Sequence, residues 1–87
     1  MRNIQFTPSA FQIYLEWRSE NDDIFEKINT LIKDILREPF KGLGKPEPLK
    51  GQWCGSWSRR ITQEHRLIYR VEQDSVIIQR CRGHYDD

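Results

Sequence analysis

The sequence predicts a small α+β fold with the order β-α-α-β-β-β. Two stretches, at about residues 8–19 and 22–37, repeat apolar side chains every three or four positions, which is typical of amphipathic helices. Farther along, apolar and polar residues alternate on both sides of a polar turn at Thr62–Glu64, which is typical of a hairpin with one buried face. These patterns favour an antiparallel sheet with one packed face and one basic, partly open face.

The length of 87 residues predicts one domain, residues 1–87, with a single modest core. The net charge of +1 is unevenly distributed. Residues 1–39 carry five basic and seven acidic side chains, whereas residues 40–85 carry nine basic and four acidic ones. The second half therefore predicts a surface suited to an anionic partner, although a solvated sheet face would fit the same charges.

The two cysteines, Cys54 and Cys81, lack the spacing of a zinc site. With no secretory leader in the sequence, a reduced, cytoplasmic protein is expected, and a disulfide between them is the less favoured alternative. No apolar run is long enough to cross a bilayer, so we expect no membrane contact. Neither a metal ion nor another cofactor is predicted.

The first strand is predicted at Arg2–Phe6, where polar and apolar residues alternate. Thr7 and Pro8 predict the start of the first helix, because a hydroxyl suits the N-cap and proline suits the first helical position. This helix is expected to run to about Ser19. Its predicted buried stripe consists of Ala10, Phe11, Tyr14, Leu15 and Trp17.

A second helix is predicted to begin after the cap at Asn21-Asp22-Asp23 and to end near Arg37 or Glu38, because Pro39 disfavours continuation. The short joint predicts an antiparallel helix pair. The apolar residues expected on its inner face are Ile24, Phe25, Ile28, Leu31, Ile32, Ile35 and Leu36. The residues expected on its outer face are Lys27, Lys33, Asp34 and Arg37.

A loop rich in glycine and proline follows at Phe40–Gly55. Pro46 and Pro48 flank Glu47, and each proline fixes its own φ and favours extended backbone in the residue before it. Glu47 is therefore expected on a stiff, extended segment. A passive connector is the alternative interpretation of such a loop.

Three further strands are predicted at about Ser56–Ile61, Arg66–Glu72 and Ser75–Arg82. A three-residue turn pairs Arg60 with Arg66 on the open face, whereas a two-residue turn would put them on opposite faces. The longer turn is preferred because it sorts the apolar residues more cleanly. With a two-residue turn at Gln73-Asp74, the predicted core face of the sheet holds Trp57, Ile61, Leu67, Tyr69, Val71, Val76 and Ile78.

The open face can gather six side chains with a shared chemistry, namely Glu47, Lys50, Arg60, Arg66, His84 and Tyr85. RNA cleavage without a metal needs a base, cations at the phosphate and an acid for the departing 5′ oxygen. Carboxylate, guanidinium and imidazole groups can supply these parts, and a tyrosine can stack on a base. Each residue alone also fits a structural role, so only convergence on one face favours catalysis. His65, Trp53 and Trp57 are interpreted as structural.

Several motifs occur in the order found in the YoeB/Txe toxins of the RelE superfamily, which the chain resembles over nearly its whole length. They are Lys27–Asn29 with Leu31–Asp34, Pro39-Phe40, Gly42–Lys50, Trp57–Thr62, Glu64–Tyr69 and His84-Tyr85. The resemblance implies a RelE-like fold with two antiparallel helices on one face of a mainly antiparallel sheet.

The resemblance further implies an mRNA interferase of a type II toxin–antitoxin system, a ribosome-dependent endoribonuclease that cuts mRNA in the A site and stops translation. Its implied partners are the 70S ribosome with its rRNA, the mRNA substrate, a cognate YefM/Axe-like antitoxin and, in some members, a second copy of the toxin. By motif match, Glu47 is the general base, His84 the general acid and Arg66 the group that stabilises the transition-state phosphate. Tyr85 would orient the mRNA, with Lys50 and Arg60 at the phosphate backbone.

Two other functions fit the same sequence. A ParE-like toxin on this scaffold would bind DNA gyrase and would not need the set of Glu47, Arg66, His84 and Tyr85. A housekeeping RNA-binding module without catalysis would be harmless when expressed. The chain also carries Asp86 and Asp87 after the His-Tyr pair, and two carboxylates there would either weaken RNA binding or point away from it.

Overall fold

The computed structural model describes residues 1–84 and has the predicted order with one short strand added. The helices are α1 (Pro8–Glu20) and α2 (Asp22–Arg37), and a 3₁₀ turn spans Gly51–Trp53. The strands are β1 (Asn3–Phe6), β2 (Glu47–Pro48), β3 (Trp57–Arg60), β4 (Arg66–Val71) and β5 (Ser75–Arg80). The predicted stiff segment at Glu47 is therefore itself a strand, because it pairs with β3.

The five strands form one sheet in the order β1-β5-β4-β3-β2. β1 runs parallel to β5, and the other neighbours are antiparallel. Both helices pack on one face of the sheet, and the core lies between them and it. The buried core residues are Ala10, Trp17, Ile28, Leu31, Ile35, Ile61, Leu67, Tyr69, Val76, Ile78 and Cys81. The opposite face of the sheet is here called the open face because neither helix packs on it, although Ser58 and Ile68 on this face are buried.

The helix boundaries follow from the predicted caps. Thr7 Oγ1 accepts a hydrogen bond from the Ala10 N–H at 3.2 Å. Asn21 serves both helices, since its N–H donates to Trp17 O at 2.8 Å and its Oδ1 accepts from the Ile24 N–H at 3.3 Å. One residue therefore ends α1 and begins α2, which is why the joint is so short.

Two predictions about the helix faces were wrong. Phe11 and Leu15, expected in the buried stripe of α1, are 48% and 46% exposed. At about 100° per residue they lie roughly 100° and 140° around the helix from Ala10, outside the buried sector that holds Trp17. In α2, Asp34 was expected outside, but its side chain is only 9% exposed because it pairs with a buried arginine.

The hairpin register is the one predicted from a three-residue turn. Arg60 pairs with Arg66 and Ser58 pairs with Ile68, so these side chains share the open face. A bulge between Ile68 and Tyr69 shifts β5 by one residue, which places Arg80 opposite Ile68. The open face therefore gains an arginine that a regular ladder would have turned toward the core.

Both cysteines are free thiols, which agrees with the expected reduced state. Cys54 is exposed, whereas Cys81 is buried with its Sγ 3.7 Å from Ala10 O. Burial raises the pKa of the Cys81 thiol to about 11, so this thiol is protonated at neutral pH. No helix among residues 1–84 is both long and apolar enough to span a membrane.

Candidate active site

A cavity of about 120 Å³ opens beside the hairpin, next to the sheet edge formed by β2. It is lined by Gly44, Lys45, Glu47, Ser58, Arg60, Arg66 and His84. One carboxylate, one imidazole, one ammonium group and two guanidinium groups therefore meet around a single space. Four of the six predicted site residues are in this set, and they come from three separate parts of the chain.

The loop delivers Glu47 to the cavity by pairing with β3. Glu47 lies opposite Ser58 in register, and the Arg60 N–H donates to Gly44 O at 2.6 Å. Gly44 and Lys45 both have left-handed backbone, with φ of 78° and 53°. This conformation is uncommon for lysine, and it turns the chain sharply just before Glu47.

The turn at residues 62–65 holds Arg66 through its carbonyl groups. Arg66 Nη1 donates to Thr62 O at 2.6 Å, to Gln63 O at 2.9 Å and to His65 O at 3.1 Å. The turn is itself braced, since Thr62 Oγ1 accepts from the N–H groups of residues 64 and 65. The guanidinium group is thus fixed at the cavity by backbone groups, with its positive charge in place before any anion binds.

His84 reaches the same turn from the other end of the sequence. Its Nε2 lies 2.9 Å from Gln63 O, the carbonyl that also accepts from Arg66. Because a carbonyl oxygen can only accept, the proton of this bond is on Nε2. The exposed imidazole of His84 is therefore a hydrogen-bond donor in this structure.

A buried arginine that the sequence patterns did not single out supports the loop. Arg59 is fully buried on the core side of β3, and its Nη1 lies 2.5 Å from Asp34 Oδ2. The guanidinium also donates to the carbonyls of Leu43, Glu38 and Lys41, at 3.1, 2.7 and 3.1 Å. These bonds fasten the segment that connects α2 to the cavity-lining residues.

The same network involves one further side chain of the core, that of Tyr69. Tyr69 Oη accepts from Arg59 Nε at 3.1 Å and donates to Pro39 O at 2.7 Å. Hydrogen bonds from Arg37, the Leu43 N–H and Arg59 lower the pKa of Asp34 to about 2, although burial acts in the opposite direction. Asp34 is therefore ionised at neutral pH, which matches the buried charge of Arg59.

Within residues 1–84, no group of three or more His, Cys, Asp or Glu side chains is placed to hold a metal ion. The side chains that line the cavity include a carboxylate, an imidazole and cationic groups. A carboxylate can accept a proton, an imidazole N–H can donate one, and cationic groups can bind a phosphate between them. This combination suits transfer at a phosphodiester.

The sequence also matches a family of bacterial proteins. Residues 6–85 match the model of the YoeB-like toxins of bacterial type II toxin-antitoxin systems. The chain is 58% identical over 80 residues to Toxin YoeB of Escherichia coli K12, covering 92% of this chain and 95% of that protein. The chain belongs to the YoeB-like toxin family.

Solved structures of YoeB proteins share the fold of this YoeB-like toxin. The YoeB/ParE toxin from Agrobacterium tumefaciens is 47% identical with a TM-score of 0.93, covering 95% of this chain and 99% of that one. A YoeB-YefM complex from Staphylococcus aureus is 43% identical with a TM-score of 0.89, and a YoeB dimer from the same species is 42% identical with a TM-score of 0.90. The complex covers 98% of this chain and 99% of the matched chain, and the dimer covers 97% and 98%.

One predicted site residue of this YoeB-like toxin, Lys50, is not among the residues that line the cavity. Lys50 is exposed but does not line it, because β2 ends at Pro48 and a 3₁₀ turn begins at Gly51. Tyr85 lies outside the described residues, as do Asp86 and Asp87. In turn, Lys45 and Ser58 line the cavity although sequence reasoning did not select them. Ser58 carried a usable signal, since it shares the face of Arg60 in a strand of period two.

His65 and Trp57 lie on the packed side of the sheet, where the sequence placed them. The ring of His65 meets the edge of Trp17 at 4.9 Å between centroids, on the packed side of the hairpin. Trp57 packs against the core, 5.0 Å from the ring of Phe40, and Trp53 is half-buried.

Proposed function

We propose that this YoeB-like toxin is a ribosome-dependent endoribonuclease that cleaves mRNA in the ribosomal A site and so inhibits translation. The observation that carries the proposal is the meeting of Glu47, Arg66 and His84 around one cavity. RNA supplies the remaining reactant itself, since its 2′-hydroxyl lies next to the phosphorus it attacks. We propose that residues 1–87 form one toxin domain that acts in the cytoplasm.

In the proposed reaction Glu47 takes the proton of the 2′-hydroxyl, and the oxygen then attacks the adjacent phosphorus. The bond to the 5′ oxygen breaks, and His84 gives that oxygen a proton. The products are a 2′,3′-cyclic phosphate and a 5′-hydroxyl. Because the Nε2 proton of His84 faces Gln63 O, delivery requires either the imidazolium form, which also carries a proton on Nδ1, or a small ring movement that frees the Nε2 proton.

The cations stabilise the charge that gathers on the phosphoryl oxygens. Arg66 is already held in place by the turn, so little reorganisation accompanies the reaction. Arg60 lies beside it in register and, with Lys50 farther along the loop, would bind the phosphate backbone. Tyr85 follows His84 directly and would orient the mRNA by stacking on a base.

The test is primer extension on mRNA held in purified 70S ribosomes. Glu47→Gln keeps the size of the side chain but removes its basicity, so we expect cleavage to slow by about 10²- to 10⁴-fold while ribosome binding persists. Arg66→Lys keeps the charge but loses the planar fork, and a similar direction of change is expected. Glu26→Gln, on the exposed face of α2, is the matched control and should cleave at the wild-type rate.

Cleavage by Glu47→Gln at the wild-type rate would remove Glu47 from the mechanism. A gyrase supercoiling assay on the same preparation decides the competing ParE-like function. Inhibition of supercoiling without any mRNA cleavage would favour gyrase binding over the nuclease.

We also infer that a YefM-like antitoxin neutralises the protein and that the toxin can form a homodimer. The support is the likeness to the S. aureus proteins, which were solved as a YoeB-YefM complex and as a YoeB dimer. Co-expression with a YefM-like antitoxin should relieve growth arrest and yield a complex that co-purifies.

A further inference from the structure

The segment Cys81–His84, here called the tail, carries His84 to the cavity after β5 has ended at Arg80. Its first half is tied to the end of α1. Trp17 Nε1 donates to Cys81 O at 2.9 Å, the Arg82 guanidinium lies 4.1 Å from the centre of the Trp17 ring, and Arg82 pairs with Glu20 at 2.7 Å. The second half of the tail, Gly83 and His84, is held by the hairpin instead.

Gly83 is bound at both of its backbone groups by consecutive residues of the hairpin. Its N–H donates to His65 Nδ1 at 2.8 Å, and its C=O accepts from the Arg66 N–H at 3.0 Å. Gly83 has φ of 78°, which turns the chain so that His84 reaches Gln63 O. The side chain of His65 therefore contacts the residue directly before the proposed general acid.

The Gly83 bond defines the protonation of His65. An amide N–H can only donate, so Nδ1 must be unprotonated and the neutral ring carries its proton on Nε2. The contact between Nε2 and Glu64 Oε1, at 3.7 Å, is then at most a weak hydrogen bond and not an ion pair. The ring is 12% exposed and lies against Trp17, so it has little freedom to turn away.

We propose that His65 is a positioning residue, whose neutral imidazole anchors Gly83 and thereby holds His84 in the cavity. The catalytic consequence rests on the proposed nuclease function, whereas the anchor itself does not. A histidine that only filled space between the hairpin and α1 would not need an acceptor at Nδ1, and this difference makes the proposal testable.

Two amide substitutions distinguish a His65 that anchors Gly83 from a His65 that only fills space. In His65→Asn, Oδ1 lies two bonds from Cβ, as Nδ1 does, so it can accept from Gly83. In His65→Gln the acceptor lies one bond farther out, at the position of Nε2, and the bond to Gly83 is lost. The two variants share the same functional group and differ by one methylene.

The first readout is the protection of the Gly83 amide against hydrogen exchange, followed by NMR on the isolated toxin. We expect exchange in His65→Gln to be faster by about 10-fold or more, with His65→Asn close to the wild type. The second readout is cleavage of A-site mRNA. We expect it to slow by about 10- to 100-fold in His65→Gln at unchanged ribosome affinity, and to be largely retained in His65→Asn.

A measurement on the wild type covers the case in which a variant fails to fold. Long-range ¹H–¹⁵N correlation spectra should show His65 neutral, with its proton on Nε2. A proton on Nδ1, or equal Gly83 protection in the Asn and Gln variants, would overturn the anchor. Because these measurements need no RNA, absence of cleavage by the wild type would count against the nuclease function alone.

Discussion

At the scale of single residues, Arg59 and Arg60 are neighbours in β3 with the same side chain and opposite surroundings. Successive residues of a strand point to opposite faces of the sheet. Arg59 is therefore enclosed between the sheet and α2, with Asp34 and backbone carbonyls around its guanidinium, whereas Arg60 is exposed at the cavity. One arginine stabilises the fold, and the other is available to an anion.

This contrast predicts different losses of stability for the same substitution. Arg59→Met should lower the free energy of unfolding by about 3–5 kcal/mol, because it removes one partner of a buried ion pair and leaves several carbonyls unsatisfied. Arg60→Met, the adjacent control, should change it by no more than about 0.5 kcal/mol. Urea unfolding at neutral pH measures both, and equal losses would contradict the structural role of Arg59.

At the scale of elements, α1 shows which side of a helix becomes buried when apolar residues lie on several sides. Its sequence offers more apolar residues than one packed sector can hold, and the sector that is buried centres on Ala10 and Trp17. Trp17 lies there because its indole N–H bonds to Cys81 O, the first carbonyl of the tail. Leu15 is left exposed on the far side.

Two leucines in the helices provide a matched test. Leu31→Ala in α2 removes a fully buried side chain and should lower the free energy of unfolding by about 2–5 kcal/mol. Leu15→Ala in α1 removes a side chain that is 46% exposed, and we expect a change within about 0.5 kcal/mol. A large loss in Leu15→Ala would mean that this side of α1 is buried in solution, for example against a second copy.

The turn at residues 62–65 is the element on which the site depends. Its carbonyl groups hold Arg66 and His84, and its last residue anchors Gly83. Because one short segment makes all of these contacts, the Arg66 guanidinium and the His84 imidazole are held at fixed positions relative to each other. Glu47 is placed independently, through the pairing of β2 with β3.

At the scale of the whole molecule, the arginines of β3, β4 and β5 other than the buried Arg59 lie on the open face. Arg66 and Arg70 lie on alternate residues of β4, and Arg80 joins them through the bulge opposite Ile68. The helices cover the other face, so the two sides of a nearly neutral protein differ in charge. This is the arrangement that a partner with a phosphate backbone would meet.

If ribosome binding uses this face, charge removal there should change its salt dependence. With Arg70→Gln and Arg80→Gln together, we expect weaker binding and a slope of log K against log salt that is smaller by about two, one for each lost phosphate contact. Arg18→Gln with Lys27→Gln removes the same charge from exposed helix positions and is the control. Equal slopes in the two double variants would show that the open face is not the contact surface.

Most of the fold could be predicted from the sequence because local residue patterns determine where the helices and strands begin and end. Helix caps at Thr7 and Asn21, the proline after α2 and the alternation along the hairpin each depend on neighbouring residues. The sequence did not predict the pairing of Arg59 with Asp34, since these residues are 25 positions apart and Asp34 was expected on the outer face of α2. The bulge in β5 likewise depends on packing against β4.

The sequence by itself determined the two helices, the four longer strands, the register of the hairpin and the residue types of the site, since spacing and composition encode these. Only the tertiary structure decided which residues meet at the cavity, adding Lys45 and Ser58 and leaving Lys50 aside. It also decided that His65 faces Gly83. The physical reason is that hydrogen bonds and ion pairs act over a few ångströms, and only the packed chain brings distant residues that close.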